Sequence, residues 1–174
     1  MSLSYNCWFS SSPPDLVQLL DQLTDDYVVE EPTALEEKKY LFFFESESIF
    51  YLYLNEWDSL YDEEDTLLLT IFPNSTTYIG KQTLPVGELE VTHYWHLVMG
   101  KSNGVKADEA YARLIQIILQ NYVGDFAALF QGNFLNLCRL DGRIYINQSS
   151  GLAEDPLFSI LEIAPYMVKN YSSK

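Results

Sequence analysis

The residues of this chain best suited to chemistry are carboxylates and aromatic rings crowded into one decapeptide. Glu56-Trp57-Asp58-Ser59-Leu60-Tyr61-Asp62-Glu63-Glu64-Asp65 holds six acids and two aromatics. Carboxylates at that density suit a hard cation or a basic surface. An EF-hand loop is excluded, because the oxygen ligands miss positions 1, 3 and 5 and the central glycine is absent. A basic protein surface fits the composition better: Asp58, Asp62, Glu63, Glu64 and Asp65 would steer it, and Trp57 and Tyr61 would supply anchoring area. Tyr51 and Tyr53, just upstream, extend the same candidate interface. A loosely held calcium ion and a solvating acidic loop are the other two readings of these residues.

Elsewhere the motifs fail on spacing. Gly100-Lys101-Ser102 resembles the end of a phosphate-binding loop, but position 95, where the first glycine belongs, is Trp95. Neither Gly80 nor Gly87 opens a dinucleotide fingerprint, and there is no G-x-S-x-G elbow. Glu90, His93 and His96 could present metal ligands from a helix, but on a strand they scatter to both faces; ordinary histidines beside Tyr94 and Trp95 are the expectation. Cys7 and Cys138 have no CxxC spacing and read as buried structural thiols. No catalytic residue, metal or cofactor is called for.

The charge is lopsided. The chain has 174 residues and a formal net charge of -15, and residues 1–65 hold 16 acids against Lys38 and Lys39 while the remainder holds 9 against 8. Acidity on this scale argues against direct binding of nucleic acid or anionic membrane and towards a basic partner. A disordered acidic tail is excluded because 48% of the residues are hydrophobic and 15% aromatic. The sequence MSLSYNCWFSSSPPD lacks the basic and apolar regions of a signal peptide, and no run of 18 apolar residues exists, so cytoplasmic residence is expected.

The elements that must position these residues follow from periodicity. Leu3 to Phe9 alternates as a half-buried strand. Ser12-Pro13-Pro14-Asp15 then offers an N-cap hydroxyl to a helix whose Leu16, Leu19, Leu20 and Leu23 share a face. Tyr27–Val29, Tyr40–Glu45, Ile49–Asn55 and Thr66–Phe72 read as strands of a meander. The middle pair forms a hairpin with Phe50, Leu52 and Leu54 on the buried face, Tyr51 and Tyr53 on the other, and Phe42 and Phe44 joining the core. Thr77–Ile79 could be a strand, and Val91–Val98 reads as a strand, with a helical turn or two over Glu88–Met99 as the alternative. Ala107–Tyr122 predicts a helix with Asp108 and Glu109 in its first turn, Gly124 as its stop, and a stripe wide enough to cover a sheet. Phe126–Phe130, Asn133–Leu140 and Arg143–Asn147 are strands, and Asp141-Gly142 is the signature of a type I' hairpin turn. The apolar stretch Pro156–Tyr166 suggests a short helix. With no repeat or linker, the whole chain, 1–174, reads as one α+β domain with a mostly antiparallel sheet packed against two main helices.

The opening strand LSYNCWF, the PPDLVQLLDQL helix behind it, and a later helix followed by GDFAALFQGNFLNLCRLDGRIYIN resemble short acidic bacterial immunity proteins of the Sit and contact-dependent-inhibition kind. The resemblance covers about a third of the chain and is architectural. It implies a non-catalytic cytoplasmic inhibitor, a monomer or weak homodimer, that binds and neutralises a cognate toxin domain; the charge argues independently that this partner is basic. Two rivals stand beside it: a small-molecule-binding domain or enzyme with a pocket near His93 and His96, and an acidic secretion chaperone or adaptor.

Overall fold

The computed structural model describes residues 3–25, 27–28, 37–46, 48–55, 66–73, 79–101, 104–150 and 166–169. Among these the chain runs β1 (Ser4–Phe9), α1 (Leu16–Thr24), β2 (Tyr27–Val28), β3 (Glu37–Lys38), β4 (Tyr40–Ser46), β5 (Ile49–Leu54), β6 (Leu67–Phe72), β7 (Gly80–Leu84), β8 (Gly87–Val91), β9 (His93–Met99), α2 (Gly104–Asn121), β10 (Phe126–Phe130), β11 (Phe134–Leu140), β12 (Arg143–Asn147), a 3₁₀ turn (Gln148–Ser150) and β13 (Tyr166–Lys169). One nine-stranded sheet has the order β13-β12-β11-β10-β1-β9-β6-β5-β4, antiparallel throughout except for the parallel pair β12–β13. The chain is α+β, as its periodicity predicts.

β1 lies at the centre of the sheet, paired with β9 on one side and β10 on the other. Its position changes the expected half-buried character. Tyr5, Cys7 and Phe9 join the main core beneath the helices, while Asn6 and Trp8, expected on a solvent face, are also buried. The cover on that second face is the β7–β8 hairpin, whose Leu84, Leu89 and Val91 pack with Trp8, Tyr94, Ala127, Leu129 and Cys138. β7 was not expected from its composition, GKQTL, because its outward residues are polar and Leu84 alone is buried.

The helices cover the opposite face. α1 begins at Leu16, not within the Ser12-Pro13-Pro14 stretch: Asp15 is the N-cap, its carboxylate accepting from Gln18 N at 3.1 Å. α2 begins at Gly104, so Asp108 lies beyond its first turn. Its C-terminus is stopped by Arg139 on β11, whose buried guanidinium donates to Leu119 O at 3.3 Å, to Gly124 O at 2.8 and 3.0 Å, and to Tyr122 O. Leu119 O is one of the orphan carbonyls in the last turn of the helix and Tyr122 O and Gly124 O follow it in the exit loop, where a cation is well placed. Gly124 contributes space instead of a left-handed turn, since a Cβ at that position would meet the Tyr122 hydroxyl at 2.4 Å.

Two turns confirm the role of backbone sign. Asp141 (φ 49) and Gly142 (φ 74) both take the positive values that a type I' hairpin needs. Gln131 (φ 53) and Gly132 (φ 80) do the same between β10 and β11. Val91–Val98 resolves into the end of β8 and most of β9, excluding the helical alternative. β13 begins at Tyr166, the last residue of the tail read as a helix; 151–165, like Thr77 and Tyr78, lie outside the described residues.

Candidate functional site

The β4–β5 hairpin sorts its side chains as the alternation predicts. Phe50, Leu52 and Leu54 are buried under the helices, and Tyr51 and Tyr53 stand half-buried on the other face. β4 departs from expectation at its far end. Phe42 packs against the core, but Phe44 is 63% exposed and Phe43 58%. The reason is positional: β4 is the last strand of the sheet, and the register shifts between Phe44 and Ser46, carrying the strand past the end of the core.

On the face away from the helices, the register builds a row. Phe43 pairs with Tyr51, Tyr51 with Thr70, and Thr70 with Val98. One row along, Phe72 pairs with His96, and their rings lie 6.2 Å apart. Tyr51, Thr70, Val98, Phe72 and His96 are all half-buried, in contrast to the sealed row under the hairpin. Phe43 meets Tyr53 edge-on at 5.8 Å, and Tyr51 and Tyr53 lie 6.4 Å apart. The Tyr51 hydroxyl donates to Glu45 Oε2 at 2.8 Å, and this bond, ahead of burial, raises its pKa. The surface is thus a set of aromatic rings with hydroxyls and a carboxylate at their edge, the mixture that anchors protein interfaces.

Of the residues singled out from the sequence, Tyr51 and Tyr53 lie together on this open face. Trp57, Asp58, Tyr61, Asp62, Glu63, Glu64 and Asp65 lie outside the described residues.

The histidines divide as strand geometry demands. His93 bonds Thr92 Oγ1 at 2.9 Å. His96 belongs to a polar cluster with Tyr94 and Asn6, in which the Asn6 amide nitrogen donates to His96 Nδ1 at 2.9 Å and to Tyr5 O at 3.1 Å, and its oxygen accepts from Gly132 N at 3.0 Å. Burial lowers the His96 pKa and favours the neutral ring that this acceptor role needs. Among the described residues no three His, Cys, Asp or Glu side chains converge on a metal-sized site. Cys7 and Cys138 are buried free thiols in the two separate cores, and burial pushes Cys138 up to about 12. Gly100, the remnant of the phosphate-loop motif, has a packing role: a Cβ there would meet Leu67 O at 1.9 Å.

Sequence reading missed a concave feature on the helix side. A cleft of about 680 Å³ opens between the start of β1, the N-terminal half of α2 and the β10–β11 turn, and neither histidine lines it. Tyr5 and Tyr111 stack within it, ring centroids 3.6 Å apart and planes 10° from parallel. The Tyr5 hydroxyl donates to Asp108 Oδ1, and Asn136 Nδ2 donates to the Tyr111 hydroxyl at 3.3 Å. Burial first, then Asp108, holds the Tyr5 phenol protonated far above the neutral range; burial does the same for Tyr111. Asn136 reaches the cleft because of a bulge: Ala128 pairs with Leu137 and Leu129 with Leu135, leaving Asn136 as the extra residue. An asparagine inside the apolar strand FLNLCRL is the one signal that could have drawn attention to it.

No helix among the described residues is long and apolar enough to cross a membrane. Comparison of the chain with protein-family models, with curated proteins and with solved structures returns no match.

Proposed function

We propose that this chain is a non-catalytic, acidic protein-binding domain that captures a basic protein, in the manner of the toxin-neutralising immunity proteins that its layout resembles. The observation that carries the reading is the open sheet face, where Phe43 is exposed and Tyr51 and Tyr53 are half-buried opposite the buried Phe50, Leu52 and Leu54. Aromatic side chains of this kind bury large area at low entropic cost and dominate the binding energy of interfaces. Chain connectivity sends β5, after the single residue Asn55, into the acidic decapeptide, so Trp57, Asp58, Tyr61, Asp62, Glu63, Glu64 and Asp65 all fall in the segment that follows Tyr53. Sixteen acids in the first 65 residues give that end of the chain the field to attract a basic surface from a distance. Aromatic anchors then set the dissociation rate and the carboxylates the association rate.

The test is site-specific photocross-linking in cells, with p-benzoylphenylalanine replacing Tyr51 or Tyr53, and Lys81 on the covering hairpin as the control position. The expected result is a basic protein adduct from positions 51 and 53 and none from 81. Association with the captured partner should slow steeply as salt is raised through the physiological range. Absence of an adduct at both tyrosines, or a rate insensitive to salt, would overturn the reading.

A further inference from the structure

The cleft beside Tyr5 lies on the helix side of the sheet, so its role stands apart from the open face and does not depend on it. Its volume, about 680 Å³, falls inside the range of small-molecule sites. Leu3, Met99, Phe130 and Phe134 line it together with the Tyr5–Tyr111 stack, and Gln131, Ser149 and Ser150 add polar wall. Polar groups converge from three separate elements: the Tyr5 hydroxyl from β1, the Asp108 carboxylate from α2 and the Asn136 amide from the β11 bulge. Among the described lining residues Asp108 is the single carboxylate, and none is Lys or Arg. The cleft is therefore matched to positive charge.

The arrangement is also held in place before any ligand arrives. Tyr5 is fixed by pairing on both sides of β1, by its stack on Tyr111 and by a tilted contact with Phe130 at 5.3 Å. Its hydroxyl engages one carboxylate oxygen, Oδ1. A carboxylate accepts at about four lone-pair positions, so this bond orients Asp108 without exhausting it. Such preorganisation lowers the entropic cost of binding.

We propose that this cleft binds a small organic amine: an ammonium group bonded to Asp108, with its hydrocarbon body against Phe130, Phe134 and the aromatic stack. Recognition would combine a charge-assisted hydrogen bond with apolar burial and the cation's attraction to neighbouring rings. A strongly acidic chain attracts any cation weakly, so the experiment must separate the cleft from the general field. Isothermal titration calorimetry with 2-phenylethylamine, 2-phenylethanol and phenylacetate does this on the full chain.

The amine should bind saturably at one site. The alcohol and the carboxylate should bind roughly tenfold or more weakly, which is what loss of a charge-assisted bond costs. Asp108→Asn, close in shape, should weaken the amine by a similar factor. Glu109→Gln, one residue along the helix and outside the cleft lining, should leave it unchanged; circular dichroism melts establish that both variants fold. The proposal is overturned if the amine shows no saturable binding up to millimolar concentration, if the three probes bind alike, or if Glu109→Gln weakens the amine as much as Asp108→Asn.

Discussion

The two halves of the sheet bury the same kind of face against the helices but treat the other face in opposite ways. On one side of β1, β10 and β11 are sandwiched between α2 and the β7–β8 hairpin, and their sequences, FAALF and FLNLCRL, are close to continuously apolar. On the other side, β5 alternates as IFYLYL, with leucines inward and tyrosines outward. A strand covered twice has no polar face to show, while one covered once keeps its period of two. Tyrosine at the uncovered positions is the informative departure, because threonine or lysine would solvate that face at lower risk of aggregation. Large accessible rings concentrated on one uncovered region are what a binding surface requires.

The comparison can be broken most directly in the closed half. Arg139→Met removes the guanidinium that satisfies the carbonyls of Leu119, Tyr122 and Gly124, and it should lower unfolding free energy by about 2–4 kcal/mol in urea titrations. An unchanged midpoint would remove Arg139 from its capping role. Next, Leu89→Ala in the covering hairpin and Leu52→Ala under the helices should each cost about 2–5 kcal/mol, since both side chains are buried. Tyr51→Ala and Tyr53→Ala should instead lie within about 1 kcal/mol of the parent chain while abolishing the cross-linked complex. If the tyrosine variants destabilise the fold as much as the leucine variants, the open face is a core and not a surface.

A smaller effect tests the turn reading. Gly142 has open space around its missing Cβ, so Gly142→Ala meets no clash and isolates the cost of positive φ, about 1 kcal/mol or slightly more. Stability should show a last, modest dependence on pH through His96. Burial depresses its folded pKa below the ordinary value near 6.5. The unfolded chain therefore takes up the proton first, and stability should fall as pH drops through that value towards the lower folded pKa. His96→Gln should flatten that portion of the profile; a wild-type profile already flat there would contradict it.

Much of the fold was legible because local and global preferences agree. β5, α2 and the Asp141-Gly142 turn are fixed by alternation, a wide apolar stripe and a turn dipeptide, each within a short span. What could not be read depends on distant parts of the chain. Nothing within Leu3–Phe9 announces that a hairpin from 80–91 will cover Trp8. Phe44 looks like core by parity and is exposed because its strand ends the sheet. The cleft was hidden for the same reason: Tyr5, Asp108 and Asn136 are separated by 28 residues or more and are joined only by a bulge and a helix that starts earlier than its stripe suggests. Of the candidate interface residues, Tyr51 and Tyr53 could be placed on a face because strand parity alone determines it.

The central claim is that the open face of β4 and β5 is where the partner binds. Hydrogen–deuterium exchange of the chain, alone and bound to the cross-linked partner, tests it most directly. Protection should appear in 40–65, from Tyr40 through the acidic decapeptide, and leave the β7–β8 hairpin unchanged. Protection concentrated in 80–91, with 40–65 exchanging as in the free chain, would contradict the account.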